Sequence, residues 1–177
     1  MKYFLLIIFC FILIGCFLEE NNKIFNKRIE KIIKTKNVQE AIIDIDNLLS
    51  PIFYKNPEKL SFSEKNIVYI MELEREVNNG GFYQYFFNSS GSYTIETIEA
   101  LKIIGSKTFF DLLIKAKNIF PNEIVPKNNN ERQKLIFELT EKDKEIWNDL
   151  DSEFYKYEED IYKLLLDYIN ENINYFR

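Results

Sequence analysis

Apolar residues recur three and four positions apart along most of the chain, the period of one face of an α-helix. Val38, Ala41, Ile42, Ile45 and Leu49 form one such face, and Pro51 is predicted to end it. Ile67, Ile70, Leu73 and Val77 form a second, with its start at Ser63-Glu64 after a loop over residues 56–63. Ile95, Ile98, Leu101 and Ile104 lead to Gly105, with Ser92 or Thr94 as the candidate cap. Ser106 then opens a helix carrying Phe109, Leu112, Leu113, Ala116 and Phe120. Pro121 stops that helix, and PNEIVPKNNN over 121–130 has the composition of a loop. A short helix over Arg132–Thr140 follows. Trp147, Leu150, Phe154, Tyr157, Ile161, Leu164 and Tyr168 then continue as a seam, with a break predicted near Asp149–Ser152. The expectation is an all-α fold, a single compact multi-helix domain.

Between the second and third helical faces lies the densest stretch of the chain, ELEREVNNGGFYQYFFNSSG over 72–91, with three of the five glycines. Asn79-Gly80 is predicted to close a helix in the left-handed conformation, Gly81 to restart the chain, and Phe82–Phe87 to form a short aromatic helix. Glu74 sits at helical phase with Ile67, Ile70 and Val77, so its carboxylate needs partners. The free N–H groups that open the helix after Gly81 are the predicted ones. Glu74, Asn79, Gly80, Gly81, Phe82 and Gln84 are therefore candidate residues of a structural corner.

The 177 residues suffice for one core of ordinary size. The sequence contains no histidine, so His-based acid–base chemistry and His-ligated metal sites are excluded. Both cysteines, Cys10 and Cys16, lie in the first sixteen residues. No cofactor or metal is implied and no catalytic residue is assigned. A carboxylate-based enzyme drawing on Glu72, Glu74, Glu76, Tyr83 and Tyr85 is the least favoured reading, because carboxylates on helix surfaces are usually solvated or structural.

The N-terminus carries a different signal. Lys2 precedes an apolar run, Tyr3–Ile14, that is shorter than the roughly 20 residues a membrane span needs. Leu13-Ile14-Gly15-Cys16 has the form of a lipobox, which predicts a lipoprotein signal peptide over 1–15, cleavage before Cys16 and lipidation of Cys16. The protein is then expected at the extracytoplasmic face of a bacterial cell envelope, held to a membrane by its lipid. Residues 16–36 read as a basic tether, with Lys23, Lys27, Arg28, Lys31, Lys34 and Lys36 against Glu30 alone. It either lies on anionic headgroups or merely spaces the domain at 37–177 from the membrane.

From Glu138 to Asp160 ten acids stand against three lysines, a net charge of about −7 over about 35 Å of helix. Asp143, Glu145, Asp149, Asp151, Glu153, Glu158 and Glu159 are the predicted outward, acidic interaction face, available to an unknown protein partner. Nucleic acid is not an expected partner for a chain of net charge −5.

One motif also carries a resemblance. Glu74-x-Glu76-Val77-Asn78-Asn79-Gly80-Gly81-Phe82-x-Gln84-Tyr85-Phe86-x-Asn88 resembles the signature of a bacterial domain-of-unknown-function family that includes a DNA-mimic protein. Ala100-Leu101, Ile103 or Ile104, Gly105, Ala116, Phe120, Leu150-Asp151 and Phe154-Tyr155 look like its later blocks, so the resemblance spans roughly residues 40–175. It implies an all-helical fold, a homodimer and, as the alternative to an envelope interaction module, an acidic mimic of DNA that regulates a DNA-binding protein.

Overall fold

The computed structural model describes residues 22–176. The signal peptide expected at 1–15 and the expected lipidation site Cys16 lie outside them. Among the described residues there are eight α-helices and no strand: α1 (22–35), α2 (Val38–Lys55), α3 (Phe62–Phe87), α4 (Thr94–Ile103), α5 (Thr108–Lys117), α6 (Asn129–Phe137), α7 (Glu141–Phe154) and α8 (Ile161–Asn172). The all-α expectation holds. No described helix is long and apolar enough to cross a membrane.

Helix α3 is the hub, with α2, α4, α6, α7 and α8 all packed against it. It starts two residues before the predicted site. The Ser61 hydroxyl accepts from the Glu64 N–H, and the Glu64 carboxylate accepts from the Ser61 N–H at 2.7 Å, a reciprocal cap that adds about half a turn to the helix. Its face of Ile67, Ile70, Leu73, Val77, Phe82 and Phe86 is buried at the centre of the core.

Helix α2 begins at an Asn37 cap and runs through Pro51, where an end was expected. A proline inside a helix forfeits one hydrogen bond and crowds the preceding turn. Here the extra turn buries Phe53 against Tyr69 and Tyr93, and that burial offsets the loss. The segment expected to be a tether is helical over 22–35. Ile29 is fully buried, with Phe25, Ile32 and Ile33 packed beside it, so this part belongs to the helical body rather than to a free spacer.

The turn between α4 and α5 closes as expected at Gly105. Its φ is +77°, the Ser106 N–H donates to the Leu101 carbonyl, and the Gly105 N–H donates to that of Lys102. The predicted hydroxyl caps do not form. Ser92 instead accepts from Arg132, and α4 has no side-chain cap. At α5 the cap comes from across the molecule, where Glu159 accepts from the Lys107 N–H at 3.0 Å and from the Ser106 hydroxyl.

The 121–130 loop is held by Arg132, which is fully buried. Its guanidinium donates to the carbonyls of Phe86, Asn88, Pro126 and Lys127, to Ser92 and to the Asn129 side chain. A buried charge without a carboxylate is stabilised here by carbonyls at the negative end of α3. Helix α7 starts at a Thr140–Asp143 capping box and runs unbroken through Asp149–Ser152. The chain turns only after Phe154, where Tyr157 takes a φ of +47°, and the predicted seam is divided between α7 and α8.

Candidate functional site

The site is the bend inside α3. Gly80 is extended, and Gly81 has φ +72° and ψ −174°, so the left-handed residue is Gly81 rather than Asn79 or Gly80. The bend exposes two sets of backbone groups, carbonyls ending the first half and N–H groups opening the second. The last turns of α7 answer both. Asp151 accepts from the Phe82 N–H at 2.8 Å, and the Tyr155 hydroxyl donates to the Val77 carbonyl at 2.9 Å. A β-carbon on Gly81 would overlap the Asp151 carboxylate, so glycine is required there for space as well as for dihedral angle.

Two carboxylates of α3 fasten the bend from the other side. Glu76 accepts from Gln84 and from Asn88, each at 2.8 Å, tying the first half of the helix to the second. Glu74 does not reach the N–H groups after Gly81. It accepts from Asn78 at 3.0 Å, Tyr157 at 2.7 Å and Tyr162 at 2.5 Å, and so ties α3 to the turn before α8 and to α8 itself. The expected clamp exists, but its carboxylate is Asp151. Burial, then the hydrogen bond to Glu74, raise the Tyr157 hydroxyl above its ordinary range and push that of Tyr162 up to about 12. Both phenols therefore remain donors.

Phe82 and Phe86 point into the core, where Phe86 stacks on Trp147 at 5.3 Å. The Trp147 indole donates to the Ala116 carbonyl at 2.9 Å. Asn79 is exposed. The predicted acidic face is smaller than expected. Glu145, Asp149, Glu153 and Glu158 are exposed, whereas Asp143 is engaged in the Thr140 cap, Asp151 in the bend and Glu159 in the cap of α5. Each of these three carboxylates already accepts a backbone N–H group, which removes it from the set free to meet a partner.

One polar group escaped the sequence reading. Asp46 is 2% exposed and Glu72 6% exposed, and Arg75 bridges them, with 3.1 Å to Asp46 and 2.6 Å to Glu72. The Ser50 hydroxyl donates to Asp46, and the Tyr54 hydroxyl donates to Glu72. Glu72 figures only in the enzyme reading, and the signal for its partner is Asp46 directly after Ile45 in the apolar stripe of α2. Burial pushes the Asp46 carboxyl up to about 6, against Ser50 and Arg75 and with Glu72 and Glu74. Among the described residues no group of three or more His, Cys, Asp or Glu could hold a metal ion.

The fold and the bend define an all-helical domain built on a glycine-broken helix whose break is met on one side by a carboxylate and on the other by a phenol, both from the end of α7. The family model described as DMP19-like protein matches residues 58–172, and the chain belongs to that family. The family is one of unassigned domains that includes a DNA mimic. Neither a curated protein nor a solved structure matches the chain.

Two measurements test this geometry. Asp151→Ala leaves the Phe82 N–H without its acceptor and should cost about 2 kcal/mol or more in urea unfolding, whereas Asp151→Asn keeps an acceptor and should cost less. Wild-type stability in Asp151→Ala would remove the clamp. The second concerns Asp46, whose folded-state pKa lies above its unfolded value. The folded state then holds the extra proton, so this group makes the protein less stable as pH rises from about 4 to about 6, with no further change above. The unfolding free energy of wild type relative to Asp46→Asn should fall by about 2 to 3 kcal/mol between pH 4 and pH 7. A flat difference across that window contradicts the assignment.

Proposed function

We propose that the protein is a membrane-anchored interaction module, lipidated at Cys16, that offers spaced carboxylates to a basic surface of a protein partner at the envelope. The observation that carries the interaction part is a ridge on α7. Glu141, Glu145, Asp149 and Glu153 are all exposed and stand four residues apart, about 6 Å along the helix axis. Lys144 pairs with Glu141 and Lys156 with Glu153, each at 2.7 Å. Glu145 and Asp149, in the middle of the ridge, make no ion pair among the described residues. The anchoring part rests on the Gly15-Cys16 pattern after the apolar run.

A second reading, mimicry of DNA, is favoured by the family. Its difficulty is charge density. Each DNA strand presents one charge per about 3.4 Å of axis, and the duplex one per about 1.7 Å. The ridge has about half the density of one strand, and its two end carboxylates are already paired.

Affinity capture from membranes with the full-length lipidated chain tests the interaction. The captured partner should bind about tenfold more weakly to the double variant Glu145→Lys/Asp149→Lys and be released by salt. Equal binding to that variant rejects the ridge. Titration of the captured complex with duplex DNA at two salt concentrations separates the two readings. Displacement by DNA supports mimicry, and indifference to DNA supports the envelope module. The anchor has its own test. Cys16→Ser should move the protein from the membrane to the soluble fraction, because losing the acyl chains removes the hydrophobic hold. A Cys16→Ser protein that stays on membranes with its N-terminus uncleaved would instead identify a signal anchor.

A further inference from the structure

Apart from the α7 ridge, a cavity of about 290 Å³ opens between the end of α2, the middle of α3 and the short turn that follows α3. Its walls are aromatic. Phe53 meets Tyr93 at 5.1 Å with the rings inclined by 64°, and meets Tyr54 at 6.0 Å and 74°. Tyr69 extends the cluster, 5.3 Å from Tyr93. Ser89 and Ser90 complete the lining, and the charged group among these walls is the buried Glu72 carboxylate, on whose Oε1 the bonds from Tyr54 and Arg75 both end. Arg75 is shared with Asp46, so two carboxylates stand against one guanidinium and the ionised cluster keeps one net negative charge.

Inclined aromatic rings offer negative faces, and a carboxylate at low exposure acts through little screening water. Neither feature suits an anion or a neutral polar ligand, and both suit a positive group on an apolar stem. The volume is at the low end for ligand sites, which span about 300–1,000 Å³. We propose that this cavity binds an organic cation, an ammonium or guanidinium head on a short alkyl chain, with the Phe53, Tyr54 and Tyr93 rings around the stem and head and Glu72 as counter-ion. Tyr54 is 60% exposed, so it stands at the mouth, and its hydroxyl holds the Glu72 oxygen that faces it.

The test is an NMR and calorimetric titration of the full chain at neutral pH with three probes. They are Nα-acetyl-lysine methylamide, its neutral isostere Nα-acetyl-norleucine methylamide, and tetramethylammonium. Saturable shifts of the Tyr93 and Phe53 ring signals are expected with the cations and not with norleucine. Tighter binding of the lysine derivative assigns the cavity to a protein side chain, and tighter binding of tetramethylammonium assigns it to a free organic cation. Glu72→Gln keeps an acceptor for Tyr54 and Arg75 but removes the charge, and should weaken cation binding about tenfold. Tyr93→Leu should weaken it several-fold and decides the matter if Glu72→Gln fails to fold. The proposal is overturned by norleucine binding as well as lysine, by either variant titrating like wild type, or by no saturable binding of any cation.

Discussion

The hydrogen bond from the Phe82 N–H to the Asp151 carboxylate is the constraint on which the rest of the structure depends. A helix broken at two glycines exposes several donors and acceptors in the middle of the protein, where water cannot satisfy them. Asp151 and Tyr155 close the account on both sides of the break, and both belong to the last turns of α7. That fixes where α7 lies and in which rotation about its axis. Trp147, four residues before Asp151, is then directed onto Phe86, and Phe154, three residues after it, onto Phe82 at 6.0 Å. The bend therefore determines the packing of the aromatic centre as well as the path of the chain.

Polar side chains reach across the molecule at other points as well. Glu159 caps α5 from beyond α7, Arg132 collects the carbonyls that end α3, and Glu74 gathers two tyrosines from the turn before α8 and from α8. Each of these contacts joins segments forty or more residues apart. Apolar burial alone would leave helices free to rotate or slide, since it has no direction. Charged groups that must meet backbone dipoles remove that freedom, at the cost of desolvating each charge. With no cysteine among its described residues, the chain obtains a defined arrangement of short helices from polar contacts between distant segments.

How much of this was legible follows from the range of the interactions. The helices of the core were readable because period is a local property, and Gly105 was readable because a left-handed turn after an apolar run is local too. Pro51 misled, since its local cost is offset by Phe53 reaching rings on α3 and beyond it, which no window around position 51 contains. The start of α3 was displaced because Ser61 and Ser63 are equally good caps by residue type. Of the three side chains that Glu74 meets, Asn78 is local, but Tyr157 and Tyr162 lie more than eighty residues away and no window around position 74 contains them. Asp151 had the matching signal, a carboxylate in phase with Trp147 and Phe154, and counting it with the outward acids missed that phase. Arg132 carried no comparable mark, because its partners are backbone carbonyls and have no sequence identity.

The division of the acids bears directly on function. A count along the sequence treats the run from Glu138 to Asp160 as one negative surface. In the folded chain Asp143, Asp151, Glu159 and Asp160 are held by backbone N–H groups, and Glu141 and Glu153 face lysines three residues away. What remains outward and without an ion pair among the described residues is Glu138, Glu145, Asp149 and Glu158. A field from four separated carboxylates decays within about a Debye length, roughly 8 Å at physiological salt. Carboxylates spaced in this way are the basis for proposing a partner whose cations meet them individually, and they are sparser than the phosphates of a duplex. Of the engaged acids Asp151 serves the bend and Asp143, Glu159 and Asp160 serve the starts of other helices, so satisfying backbone N–H groups within the fold thins the outward negative charge.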